Sequence, residues 1–171
     1  MINIDKTDFV YKALQALEVE NIEEQYMRLI DNGVCDSKSL DNYLLSQLGL
    51  DFLGDVDESA LEEALPYFSD LKKIKKVPQS KINQMLKEYI KTNDAQIKND
   101  IINAKLNDVL LLACAYKMRH MDINLNDLVQ TCNIGVITAL NKYNQASKIK
   151  FDTYINYWVL DAINNEFTIG E

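Results

Sequence analysis

The side chains best suited to catalysis are scarce in this chain. His120 is the only histidine, and the cysteines are Cys35, Cys114 and Cys132. A lone general base needs a nucleophile or substrate group within hydrogen-bond reach, and no Ser/His/Asp or Cys/His arrangement accompanies His120. It reads as a surface or helix-end residue. There is no glycine-rich phosphate loop and no HExxH, and the many carboxylates isolate no pair. An odd number of cysteines without CxxC spacing argues against a zinc site or a disulfide framework. It suits a reduced cytosolic protein whose three thiols are core or half-buried. The sequence gives no reason to expect an enzyme, and it implies no cofactor and no metal.

Binding chemistry has better candidates. Four lysines within Lys72–Lys76 could touch phosphate, although a run this short reads first as a solvated face. Tyr154, Tyr157, Trp158 and Asp161 fall at i, i+3, i+4 and i+7, on one side of a helix. Such a stripe of aromatics reads first as core.

These residues need elements to hold them. From Leu125 to Phe167 the chain reads as two helices and a connector. Leu125, Leu128, Val129, Ile134, Ile137, Leu140 and Tyr143 recur at helical spacing and predict one apolar face. Asn144 to Lys148 break the pattern as a polar loop. Asp152 is the expected N-cap of the second helix. Upstream, Leu106 to about His120 carries the most apolar run, including Val109, Leu110, Leu111, Leu112 and Cys114, and predicts a central core helix buried on nearly every side.

Before it the reading is a series of short helices. One spans Asp8 to Leu17, and a second runs from Glu23 to Ile30 and stops at Asp31-Asn32-Gly33. Ser39 is the expected cap of a third. Ser59-Ala60-Leu61-Glu62 has capping-box spacing and predicts a helix start near residue 60. Ser80 is the expected cap of a helix through Met85, Leu86, Tyr89 and Ile90, and Asn93-Asp94 opens another.

Charge divides the chain. Residues 1–70 hold 4 basic and 16 acidic side chains, and residues 71–171 hold 14 and 10, within a total of −8. At 171 residues the chain can bury a core as one domain or two small ones. Two prolines, five glycines and long periodic patterns predict an all-α protein. No apolar run approaches the roughly 20 residues of a membrane span, and MINIDKTDF lacks the parts of a signal peptide.

Asp127-Leu128-Val129-Gln130, then Asn133-Ile134-Gly135, then Lys150-Phe151, Thr153-Tyr154 and Tyr157-Trp158 together resemble region two of bacterial RNA polymerase sigma factors of the sigma-70 family. The Val-Pro turn at Val77-Pro78, the helix after it, the Asn-Asp step and Ile101–Leu106 resemble the segment leading into it, region one-point-two. The resemblance runs from about Tyr67 to Asn165. It implies a helical bundle over 66–171, and the division of charge sets an acidic helical segment over 1–65 before it. It implies docking on the clamp coiled coil of the largest subunit of core RNA polymerase through Asp127, Gln130, Asn133 and Ile137. Carboxylate and amide groups there would meet basic side chains, and an aliphatic group would fill a notch. It implies contact with unstacked bases of the single-stranded minus-ten promoter element through Lys150, Phe151, Thr153, Tyr154, Tyr157 and Trp158, where exposed rings replace lost stacking at about 1–3 kcal/mol per base.

Departures from the family pattern shape the expectation. Thr131 stands where the family has Glu, and Cys114 and Ala115 stand where basic residues are usual. The connector between the two helices is a residue or two longer than usual. After the aromatic pair come Leu160, Asp161, Asn164, Asn165 and Glu166 in place of basic and amide residues that touch DNA. From Ala104 to Glu171 there are 6 basic and 7 acidic side chains, a poor balance for holding phosphates. Nothing resembles the family's later regions, so a partner would have to supply them for full promoter recognition. Three readings stay open. The chain is a sigma-like initiation protein, a sigma mimic that regulates transcription without reading DNA, or a helical interaction module that has lost both contacts. The acidity of the first segment reads first as the solvated face of a helical domain, and alternatively as an electrostatic decoy near the DNA-binding surface, weakened by salt.

Overall fold

Asp8 shows how the first helix begins. Its carboxylate accepts from the Val10 N–H at 3.4 Å and from the Tyr26 hydroxyl at 2.9 Å, so one side chain caps α1 (Phe9–Ala16) and ties it to α2 (Ile22–Asp31). This computed structural model describes residues 4–49, 77–143 and 148–167. Between α1 and α2 the chain turns through Glu18 and Asn21, both at positive φ. Glu23 and Glu24 open α2 and Arg28 lies in its last turn, the arrangement a helix dipole favours. Asn32 and Gly33 end α2, with Gly33 at φ +80°. The expected stop is therefore in place.

The third helix, α3 (Ser37–Leu48), starts one turn earlier than its expected cap. Asp36 is the N-cap, and Ser39 serves as its reciprocal partner in a capping box. Ser39 fits that role because its hydroxyl reaches back to the Asp36 N–H. Gly49 closes α3 at φ +84°; a Cβ there would also lie 3.1 Å from the Ala115 carbonyl.

After the Val-Pro turn, α4 (Gln79–Thr92) begins with Pro78 as its N-cap, not Ser80. Proline's fixed φ suits a helix entrance, so no side-chain cap is needed. Asp94 caps α5 (Ala95–Ala104) through the N–H groups of Gln96 and Ile97. Lys105 marks the bend into α6 (Leu106–Arg119). Its side chain is 3% exposed and its ammonium meets Asp152 at 2.8 Å and Asp108 at 3.5 Å. A charge so buried needs such partners, because leaving it unpaired costs several kcal/mol, in order of magnitude.

That ion pair explains why Asp152 is not a cap. The last helix, α8 (Phe151–Glu166), has Lys150 as its N-cap without a side-chain bond, and Asp152 lies in the first turn facing Lys105. The preceding helix, α7 (Leu125–Lys142), is capped by Asn124, whose side-chain Oδ1 accepts from the Asp127 N–H at 3.2 Å. α7 packs on α6 and, most extensively, on α8. The two helices approach closely because of Gly135. A Cβ there would fall 2.5 Å from the Cα of Val159 and 2.8 Å from the Trp158 carbonyl.

Among the described residues the structure is eight helices with no strand, the all-α bundle expected. One continuous core joins Val10, Leu14 and Leu17 of the first turns to Leu40 and Leu44 of α3 and to Tyr154, Val159 and Ile163 of α8. Burying each such aliphatic side chain stabilises the fold by about 1.5–3 kcal/mol. α6 contributes Val109, Leu112, Ala113, Cys114, Ala115 and Tyr116, although Leu110 and Leu111 are only half-buried. Cys114 and Cys132 are buried, and burial pushes their thiols up to about 11 and about 12. Cys35 differs from expectation. It sits before the α3 cap and is exposed. His120 ends α6 with its ring stacked 4.3 Å from that of Tyr116. The capping-box stretch near residue 60, the lysines at 72–76 and most of the loop at 144–148 lie outside the described residues.

Candidate functional site

Two surfaces of the α7–α8 pair carry the residues singled out from sequence. The first is the outer face of α7. Asp127 and Gln130 are exposed there, while Asn133 and Ile137 are half-buried. Helical geometry sets all four on one side. The same geometry puts Ile134 between Asp127 and Gln130, and Ile134 is 59% exposed. Its sequence spacing had suggested an inward position. The inward face is instead made by Leu128, Cys132, Val136, Ala139 and Leu140, with Gly135 at the crossing. Small residues that allow close approach give a weak periodic signal, which is why the apolar stripe was drawn too wide.

Thr131, at the position of the family's Glu, is turned inward. Its hydroxyl donates to the Asp127 carbonyl at 2.8 Å and the residue is buried. Thr131 therefore offers no charge to a partner. Asn133 Oδ1 is buried without a hydrogen-bond partner in the structure.

The second surface is the aromatic side of α8, and it faces inward. Lys150 is exposed, but Phe151, Thr153, Tyr154, Tyr157 and Trp158 are all buried. The reason lies in α1–α3. Tyr154 has no exposed surface and donates its hydroxyl to the Ala16 carbonyl at 2.9 Å. Thr153 donates to Asp41 of α3 at 2.7 Å. Tyr143 meets the rings of Phe151 and Tyr154 edge-on, each at 5.1 Å. Lys142 holds its ammonium 5.0 Å from the centre of the Trp158 ring and donates to the Glu18 carbonyl at 3.4 Å. Burial, with Asp161 nearby, raises the Tyr157 hydroxyl above its usual range. With α1–α3 docked, none of these rings presents an open face to a base.

Among the described residues the docking combines apolar side chains with hydrogen bonds to the Ala16 and Glu18 carbonyls and to the Asp41 carboxylate. Glu20 and Asp161 line the same cleft, and burial together with the Glu20 charge raises the Asp161 carboxyl above its usual range. Sequence alone could not reveal this. The partners Ala16, Asp41 and Glu18 are separated from α7 and α8 by more than a hundred residues.

The Sigma-70 region 2 family profile matches residues 105–168, from the bend at Lys105 to just past the end of α8. The chain is 31% identical over 137 residues to the RNA polymerase sigma factor SigA of Clostridium acetobutylicum. That match covers 70% of this chain and 35% of the relative. It is 28% identical over 82 residues to SigA of Mycoplasma genitalium, covering 47% of this chain and 16% of the relative. It is 26% identical over 106 residues to the sigma factor RpoD of Neisseria gonorrhoeae, covering 61% and 16%. No solved structure matches the chain significantly. The chain thus spans about a third or less of the length of these relatives. α6, α7 and α8 constitute a sigma-70 region 2, and through it the chain belongs to the sigma-70 family.

Proposed function

We propose that the chain works in transcription initiation as a sigma-like protein that docks on core RNA polymerase through the outer face of α7. The observation that carries this reading is the exposed set Asp127, Gln130 and Ile134, flanked by Asn133 and Ile137, within a sigma-70 region 2. Carboxylate and amide groups around an aliphatic centre suit a basic partner surface, here the clamp of the largest subunit. The role is one of binding and not of catalysis.

Contact with the single-stranded minus-ten element is a conditional part of this function. Phe151, Thr153, Tyr154, Tyr157 and Trp158 supply the right chemistry, and Lys150 stands exposed at the helix start. Thr153 and Tyr154, which are bonded to Asp41 and Ala16, and Tyr157 and Trp158, which share a cleft with α2 and α3, become available when α1–α3 lifts off α8. A co-sigma partner would supply the family's later regions. A second reading, a sigma mimic that occupies polymerase without reading DNA, draws support from Asp161 and Glu166, which put negative charge where phosphates would lie. The test common to both is binding to core polymerase by the full chain and by Asp127→Ala/Gln130→Ala. The double substitution is expected to weaken binding and to leave folding intact.

A further inference from the structure

A cleft of about 820 Å³ lies between α2, α3 and the α7–α8 pair, a volume in the range of small-molecule sites. Charges of both signs line it. The carboxylates are those of Glu20, Glu24 and Asp161, and the cations are Arg28 and Lys142. Arg28 makes only a 3.7 Å surface pair with Glu24, a contact with little hold. Among the described residues neither Glu20 nor Asp161 has an ion-pair partner. Burial and the Glu20 charge raise the Asp161 carboxyl in spite of Arg28 and Lys142, so the cleft is short of positive charge. No group of three acidic, histidine or cysteine side chains among the described residues stands close enough to hold a metal ion. The missing cation is therefore an organic one.

The aromatic wall narrows the choice. Lys142 already holds its ammonium over the Trp158 ring, which shows that this face accepts a cation. Trp158 is 8% exposed, and its Nε1 is buried without a hydrogen-bond acceptor in the structure. An orphaned donor of this kind is costly and calls for an acceptor. Arg28 and Asp161 both act on the Tyr157 hydroxyl, so positive and negative charge converge on one part of the cleft.

We propose that this cleft binds a small zwitterion with a surplus cation, an α-amino acid whose side chain is an ammonium or guanidinium. Its cationic groups meet Glu20 and Asp161, while its carboxylate meets Arg28 and offers an acceptor to the indole N–H of Trp158. Three carboxylates against two cations leave one negative charge, which a ligand of net charge +1 neutralises. A polyphosphate would add anions to a cleft already negative, and a plain diamine would leave Arg28 and the indole unanswered. The ligand touches α2 and α8 together, so it binds the docked form and holds α1–α3 on α8. This site is separate from the proposed polymerase contact and does not depend on it.

The test titrates the full chain with L-arginine at constant ionic strength. Binding is followed by fluorescence of Trp158, the sole tryptophan, and by the midpoint of thermal unfolding. Agmatine, which has the guanidinium and amine but no carboxylate, is the comparison ligand. Glu20→Gln/Asp161→Asn and Arg28→Gln are the comparison proteins, each checked by circular dichroism. The expected result is a saturable fluorescence change and a raised midpoint with L-arginine. Half-saturation is expected at about tenfold higher concentration for agmatine and for each variant. A response that does not saturate, or that is equal in wild type and Glu20→Gln/Asp161→Asn, overturns the site. Equal affinity for agmatine and L-arginine, or an unchanged Arg28→Gln, overturns the zwitterion as its ligand.

Discussion

The hydroxyl of Tyr154 in α8 donates a 2.9 Å hydrogen bond to the main-chain carbonyl of Ala16, at the end of α1, from a ring with no exposed surface. A residue of sigma-70 region 2 thereby spends its polar group on the N-terminal segment. Removing that hydroxyl leaves the Ala16 carbonyl without this donor. Tyr154→Phe is expected to lose about 1 kcal/mol of stability, the usual net value of one buried hydrogen bond. A denaturant titration followed by circular dichroism measures it. No change would mean that the bond contributes nothing to holding α1 on α8.

Gly135 gives a sharper structural prediction. Alanine improves helix propensity by at most about 1 kcal/mol, but its Cβ would sit 2.5 Å from a main-chain carbon of Val159. Main chain cannot swing aside as a side-chain tip can. Gly135→Ala is expected to destabilise the chain by about 1–3 kcal/mol, read as a lower midpoint of unfolding. A raised midpoint would show that α7 and α8 are not in this close contact.

Much of this fold was legible from sequence, and the limits have physical causes. Gly33 acts through its own backbone angle and Asp94 through N–H groups two and three residues away, and their roles follow from residue type and position. Ser80 and Asp152 were read by the same local logic and fail for different reasons. Pro78 already sets the entrance of α4, and Asp152 answers a buried lysine 47 positions upstream. The polar face of α7 followed from the resemblance to sigma-70 region two, carried over position by position to Asp127, Gln130, Asn133 and Ile137. Ile134 belongs to that face by helical periodicity but was counted inward for its apolarity. The aromatic stripe of α8 reads as core from its spacing, and it is buried; the exposure that the resemblance implies is absent because α1–α3 packs against α8, which spacing within one helix does not reveal.

Asp161 makes stability depend on pH. Its folded carboxyl titrates above its ordinary value of 3.8, through burial first and the Glu20 charge second. The folded state therefore holds the proton more tightly than the unfolded chain. Below 3.8 Asp161 is protonated in both states, and as pH rises through the raised folded value the carboxylate forms at a destabilising position. Asp161→Asn removes this loss. The variant is expected to gain stability relative to wild type as pH climbs from 3.8 to neutrality, in melts taken across that range. A gap that stays constant with pH would dismiss the carboxylate as the cause.

Salt distinguishes packing from charge in the docking of α1–α3. The acidic composition of residues 1–70 had suggested an electrostatic decoy. The observed contacts are largely apolar, with hydrogen bonds to the Ala16 and Glu18 carbonyls and the Asp41 carboxylate, and at Asp161 the Glu20 charge opposes those of Arg28 and Lys142. Screening therefore weakens repulsion and attraction together and leaves the apolar contacts in place. Acrylamide quenching of Trp158, the sole tryptophan and 8% exposed, is expected to stay low as salt is raised to several tenths molar, a range in which the Debye length is only a few ångströms. A steady rise in quenching with salt would restore the electrostatic account.

The central claim is that the outer face of α7 meets core RNA polymerase. It is tested most directly by an equilibrium titration of core polymerase with wild type and with Asp127→Ala/Gln130→Ala. Both side chains are exposed, so the melt of the variant is expected to match wild type within about 0.5 kcal/mol. Binding is expected to weaken about tenfold or more, the loss of a charged and an amide contact at an interface core. Equal affinity for the two proteins, with both folded, would contradict the claim.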